Sequence, residues 1–139
     1  MTPITFTFPF PDQHLTANGR YHWRVRAART KQWRYATATH ARLHGVTNLG
    51  PSNIQCHFTG VMTRDPANLA DTVKACTDGL TDAGFWPDDN DTWVTVLPNT
   101  VTRSRKPIQD RTVTITITER RNHDYQRNIR RLTCHVNPD

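Results

Sequence analysis

From residue 13 to residue 63 the chain carries no acidic side chain. That absence excludes a self-neutralised helix surface there, because exposed helices usually balance cations with carboxylates one turn away. Long apolar runs are missing as well. No window approaches the length of a membrane span, so no transmembrane helix is expected. The first ten residues lack a basic start and a long apolar stretch, so no secretory leader is expected. Cysteine is scarce: Cys56, Cys76 and Cys134 are an odd number without C-x-x-C spacing. They fit a reducing cytoplasm and argue against a disulfide framework or a zinc ribbon. Cys56-His57 and Cys134-His135 are adjacent pairs, and neighbours on a strand point to opposite faces, so each is a poor chelate.

What is present is mostly positive charge. The 139 residues hold 18 Lys and Arg against 12 Asp and Glu, a net charge of +6. Such a balance favours a polyanionic partner, because Lys and Arg that neutralise phosphates release counterions. The cations are grouped. Arg20, Arg24, Arg26, Arg29, Lys31, Arg34 and Arg42 lie in one stretch, and Arg103, Arg105, Lys106 and Arg111 in another.

The length predicts one domain with a core of its own. Residues 4–8 alternate Ile4, Phe6 and Phe8 with Thr5 and Thr7, the pattern of a strand with one buried face. Pro9 and Pro11 end it. Residues 20–44 lack Gly and Pro and predict a long helix stopped at Gly45. Trp23, Ala27, Thr30, Thr37, Ala38 and Ala41 form its apolar side, with Trp33 at the edge and Arg34 inside the stripe. Core burial is the expected role of both tryptophans, with stacking on bases as the alternative. Residues 53–62 alternate through Ile54, Cys56 and Phe58 as a second strand. Residues 66–83 predict a second helix, with Leu69, Val73, Cys76, Leu80 and Ala83 buried and Asp71, Lys74, Asp78 and Asp82 on the wet side. Strands follow at 93–97 and 112–118, separated by a long loop. The order is β-α-β-α-β-β. It predicts an α/β protein of the two-layer α+β kind, a small mixed sheet with two helices. Residues 1–118 make up the domain, and residues 119–139 a basic tail.

The acids are concentrated. Seven of the twelve carboxylates lie in residues 64–91, at Asp65, Asp71, Asp78, Asp82, Asp88, Asp89 and Asp91, with only Arg64 and Lys74 between them. Asp65 before Pro66 reads as a helix N-cap, and Asp88-Asp89 as a polar turn before a strand. A surface that binds phosphates normally avoids carboxylates, unless a bound cation reverses the local sign. Mg²⁺ binds one or two carboxylates together with waters and phosphate oxygens. It can activate water and stabilise a departing oxygen. Lys74 would stabilise charge developing on a phosphoryl group. Asp65 precedes the predicted helix of roughly 22 Å and Asp88-Asp89 follow it. They meet only if the chain folds back along the helix or a second subunit supplies one end, and a dimer contribution is expected.

The runs L-T-A-N-G-R-Y-H-W-R (15–24), R-T-K-Q-W-R (29–34), R-D-P-A-N-L (64–69) and K-A-C-T-D-G-L-T-D-A-G-F-W-P-D-D (74–89) together resemble RusA-type Holliday junction resolvases. The likeness is to the RusA-like endodeoxyribonucleases of phages and prophages, and it spans residues 4–118. It implies a cytoplasmic homodimer that binds four-way DNA junctions. Such a dimer nicks two strands symmetrically by Mg²⁺-dependent phosphodiester hydrolysis, with Mn²⁺ a possible substitute. It implies catalytic roles for Asp65, Asp89 and Lys74 and metal ligation by Asp65, Asp88 and Asp89. DNA would be gripped by Arg20, Arg24, Arg26, Arg29, Lys31, Arg34, Arg64, Arg103, Arg105 and Lys106. The chain departs from the family pattern at Ala67, where a second aspartate is expected, and its lysine is displaced to position 74. Two other readings stay open: a junction-binding protein without nuclease activity, and a basic structural protein with capping aspartates.

Overall fold

The computed structural model describes residues 3–15 and 22–120. Three strands form the main body of the sheet: β1 (Ile4–Pro9), β2 (Ser52–Val61) and β5 (Thr112–Glu119). β5 lies between the other two and is antiparallel to both. The far edge of β2 is shared. β3 (Val94–Val96) runs parallel to its first part and β4 (Thr100–Arg103) parallel to its second. Two helices, α1 (Trp23–Arg42) and α2 (Ala70–Asp82), complete a mixed α+β fold.

The alternation in the sequence sets the register. Phe8 lies opposite Val113, and Val113 opposite Phe58; Phe6, Ile115 and Cys56 form the next row. All six are buried on one face of the sheet, and Trp33, Leu69, Cys76, Leu80, Phe85 and Trp86 join them in one core. The other face is lined by Thr5, Thr7, Asn53, Gln55, His57, Thr114 and Thr116, as the period of two requires. His57 is held there between the hydroxyls of Thr100 and Thr102, at 2.6 and 2.7 Å.

Four expectations change. The segment read as one loop between the last two strands contains β4 and a 3-10 turn at Ile108–Asp110. T-V-T-R is short and mostly exposed, and among the described residues its ladder is with distant β2, so local pattern carries little signal. The second helix starts later than residue 66, because Pro66–Leu69 winds as a 3-10 turn before α2. Trp33 is buried, its indole N–H donating to the Gln13 carbonyl at 3.0 Å, but Trp23 is 67% exposed. Arg26 pairs with Asp71, the second residue of α2, so Trp23 on the first turn of α1 stands beyond the start of α2. The fourth concerns the acids of α2. Asp71, Asp78 and Asp82 do not simply face water; arginines of α1 meet them.

The helices touch at a glycine. A Cβ placed on Gly79 would lie 2.5 Å from the Arg34 carbonyl oxygen and 2.8 Å from Thr37 Cβ. Thr37, Ala38 and Ala41 are the buried residues facing this part of the packing, and their small size allows the approach. The expected domain boundary falls inside β5's end. Glu119 closes the strand, the Arg120 amide donates to the Pro51 carbonyl at 2.7 Å, and its guanidinium bonds Thr95 Oγ1 at 2.8 Å. The rest of the basic tail, with Arg20 and Tyr21, lies outside the described residues. Among the described residues no helix is long and apolar enough to cross a membrane.

Candidate functional site

The path from α2 to β3 brings distant charges together. Gly84, at φ 89, turns the chain out of the helix. The Asn48 and Leu49 amides then donate to the carbonyls of Gly84 and Phe85, at 3.1 and 2.8 Å. Phe85 and Trp86 plunge into the core, and the Trp86 indole bonds the Gly50 carbonyl at 3.2 Å. Past these anchors the chain folds back along α2. Lys74 lies eight residues before Asp82, about 12 Å along the helix. The seven residues 83–89 reach up to about 24 Å when extended. The return therefore fits within one subunit and brings Asp89 back to α2 at Lys74, not to Asp65.

Asp89 meets Lys74, with Oδ2 2.6 Å from Nζ. The same ammonium donates to Asp78 Oδ1 at 2.9 Å, one helical turn along α2. Asp78 Oδ2 lies 4.0 Å from Arg34 Nη1. The electrostatics follow. The Lys74 ammonium, with help from Asp78, holds the Asp89 carboxyl down at about 2. Burial, with Asp89 close by, pushes the Asp78 carboxyl up against the opposing pull of Lys74. The two carboxylates, first Asp89 and then Asp78, raise Lys74 above the usual lysine range. Asp89 is thus a fixed anion and Lys74 a fixed cation at neutral pH.

Asp65 behaves as the sequence predicts for a cap. Its Oδ1 accepts the Ala67 amide at 3.0 Å and its carbonyl accepts the Asn68 amide at 3.0 Å. It makes no hydrogen bond or ion pair with Lys74 or Asp89. The link between the two ends is Lys74 itself. It lines one depression with Pro66, Ala67 and Asn99, and a second with Asp89 and Asp91, and Val96 borders both. The Asn99 amide fastens the wall by donating to the Pro66 carbonyl at 3.0 Å. Asp88 accepts the Asp89 amide at 2.7 Å and is exposed.

Among the described residues no group of three or more His, Cys, Asp or Glu side chains is placed to hold a metal ion. Asp65, Asp88 and Asp89, the three expected metal ligands, are therefore not gathered into one such group. Asp89 stays ionised, and Asp65 Oδ2 accepts no hydrogen bond from a described residue.

The cations divide into two sets. Arg26 pairs with Asp71, and Arg34 grips Asp82 through Nε at 2.5 Å and Nη2 at 2.8 Å. The view that the cations of α1 lack acidic partners is corrected for these two: their acids come from α2, across the helix pair. Arg34's place inside the apolar stripe is explained the same way, since that side of α1 faces α2. Arg24, Lys31, Arg64, Arg103, Arg105 and Lys106 are exposed and make no ion pair among the described residues. Asp78, which the sequence pattern places on a solvated face, joins the candidate site through Lys74. Its spacing of four from Lys74 was the available signal.

The Arg34–Asp82 clamp gives a pH prediction. Arg34 lowers the Asp82 carboxyl below its ordinary 3.8. A lowered carboxyl stabilises the fold above its ordinary value, and that gain is lost as pH falls through the lowered one. Both side chains are partly exposed, so the effect is about 0.5–1 kcal/mol. Asp82→Asn should unfold at lower urea concentration than wild type at pH 6, and the gap should shrink below pH 3.8. A gap independent of pH would remove the ionised pair as its cause.

No protein-family model matches the chain, and no curated protein matches its sequence. The likeness to RusA-type resolvases therefore rests on the motifs quoted above.

Proposed function

We propose that the protein is a structure-selective endodeoxyribonuclease of the RusA-like kind, which hydrolyses phosphodiesters in branched DNA, four-way junctions above all. The observation that carries this reading is the Lys74–Asp89 pair: residues fifteen apart in the chain, joined at 2.6 Å in a surface depression of a strongly basic protein. A cleft that holds both a fixed anion and a fixed cation suits a reaction whose charge develops on phosphoryl oxygens.

In this reading Asp89, with Asp65 and Asp88 nearest in sequence role, would hold Mg²⁺ or Mn²⁺, which supplies water activation and charge neutralisation when bound. Lys74 swings from its carboxylates to the non-bridging phosphoryl oxygen as negative charge grows there. Asp78 keeps the ammonium over the cleft between those events. A water oxygen bonds to phosphorus, the bond to the 3′ oxygen breaks, and a proton ends on that oxygen, leaving 5′-phosphate and 3′-hydroxyl ends. Arg64, Arg103, Arg105 and Lys106 hold the backbones. A two-fold dimer would supply the paired sites that symmetric nicking requires.

The test is a labelled four-way junction beside linear duplex, with and without Mg²⁺. Cleavage of the junction alone, and only with the ion, is the expected result. Ala67 favours a second reading, a junction-binding protein that does not cleave, since alanine cannot ligate a metal. That protein would shift the junction in a gel and leave it intact. Equal, weak binding to both DNAs would reject both readings. Asp65 can be tested separately from its cap. Asparagine caps as well as aspartate, whereas alanine loses about 1 kcal/mol. Asp65→Asn should therefore keep the wild-type melting temperature and lose cleavage, while Asp65→Ala loses both. Full cleavage by Asp65→Asn would leave the residue a cap and nothing more.

A further inference from the structure

Trp23 has no place in the core and none in the chemistry described above. It stands on the first turn of α1, 67% exposed, with the Arg24 guanidinium over its ring, 5.3 Å from the centroid. A shallow, open groove lies along one face of α1 from Trp23 past Ala27 and Thr30, bordered by Arg26, Lys31 and Arg34. From Trp23 to Arg34 is about 16 Å along the helix. At its far end Arg34 reaches Asp78, which holds Lys74. The groove thus connects an exposed aromatic platform to the candidate catalytic cluster.

We propose that this groove takes a single strand of DNA, with Trp23 stacking on an unpaired base. Two features select this occupant. Arg24 and Lys31 make no ion pair among the described residues, whereas Arg26 and Arg34 are already paired with Asp71 and Asp82, so the uncompensated charge that Arg24 and Lys31 leave on the strip is matched to phosphates rather than to an apolar partner. The ring at its end is large, flat and flanked by a guanidinium, the combination by which proteins hold bases without reading sequence. The stripe Trp23, Ala27, Thr30 continues the face that α1 buries further along at Thr37 and Ala41, yet α2 begins too late to cover it. A branch point exposes bases that a linear duplex keeps stacked, so the groove would favour branched over linear DNA. The inference rests on the nucleic-acid half of the proposed function and is independent of cleavage.

The experiment follows tryptophan emission during titration with a 15-nucleotide oligo(dT), in EDTA so that no strand is cut. Stacking predicts quenching in wild type that is lost in Trp23→Ala, the other tryptophans giving a constant background. It also predicts binding weaker by roughly 5- to 100-fold in Trp23→Ala, as expected for one lost base stack. Trp23→Phe should recover most of the affinity without the quenching, which a merely structural tryptophan would not do. Lys31→Gln should weaken binding and lower its salt dependence. Unchanged affinity in Trp23→Ala overturns the proposal. So does acrylamide accessibility of Trp23 that falls as protein concentration rises, for a second copy of the chain then covers the face. Failure to cleave a junction with Mg²⁺ while the quenching persists would reject the nuclease and leave this groove standing.

Discussion

Lys74→Met is expected to lower the rate of junction cleavage by about 10²–10³-fold while junction binding stays within a few-fold of wild type. Methionine keeps the length and the helix propensity of lysine, so α2 should survive the change. The charge alone is removed. In the ground state that charge is already occupied by Asp89 and Asp78 at 2.6 and 2.9 Å. On the proposed nuclease reading it would therefore contribute little to holding substrate and much to the transition state, where phosphoryl charge would compete for it. The kinetic signature is a fall in kcat with KM nearly unchanged. Asp89→Asn should give a similar loss but tighter binding, since one negative charge leaves a surface that meets phosphate. The structural alternative makes a different forecast. If Lys74 only ties the returning segment to α2, both variants lose about 1 kcal/mol or less of stability, the ordinary value of an exposed ion pair, and cleave at wild-type rates. Measured rates beside urea midpoints for the two single variants and the double variant separate these cases. Non-additive rate losses would mark the pair as one unit.

How far the sequence carried the argument depends on the range of the interactions involved. The central strands and both helices were legible, because alternation at Phe6, Phe8, Ile54, Cys56, Phe58, Val113 and Ile115 is a local record of a half-buried sheet. The Asp65 cap was legible for the same reason: the aspartate, the proline and the amide it binds lie within three residues. β4 is not legible, because among the described residues its ladder is with a strand some forty residues earlier. The site was legible in part. The sequence marks Asp89 and Lys74 as candidates, but their contact depends on Phe85 and Trp86 anchoring the return, and aromatic residues near a polar turn do not announce a fold-back. Asp78 reads as part of a solvated face, because helical periodicity says which side a residue is on, not what stands there. In the fold α1 stands there, and Arg26 and Arg34 answer the aspartates of α2. The excess of cations in one helix and of acids in the other, odd when each is read alone, is one complementary interface.

That interface rests on Gly79, and Gly79→Ala should lower stability by about 1–3 kcal/mol, a loss of several degrees in melting temperature. The sign is not obvious in advance. In an exposed helix the same change stabilises, by about 1 kcal/mol, since alanine is the better helix former. Here the added methyl would sit 2.5 Å from the Arg34 carbonyl and 3.2 Å from the Ala38 amide nitrogen. Both are backbone atoms of a helix, so neither can rotate away. Relief requires α1 and α2 to separate, which loosens the packing of Thr37 and Ala38. It also stretches the Arg34 bonds to Asp82, whose shorter member is 2.5 Å. Overpacking therefore outweighs propensity. Gly79→Leu should do more and leave little folded protein at 37 °C. Chemical denaturation of wild type and Gly79→Ala decides the matter, with Gly45→Ala as a control. Gly45 has open space around its missing Cβ and a φ of 65°, so its cost is backbone strain alone, about 1–2 kcal/mol, with no helix displaced. If Gly79→Ala stabilises the protein, the two helices are not in the close contact described, and the Arg34–Asp78–Lys74 linkage built across them falls with it.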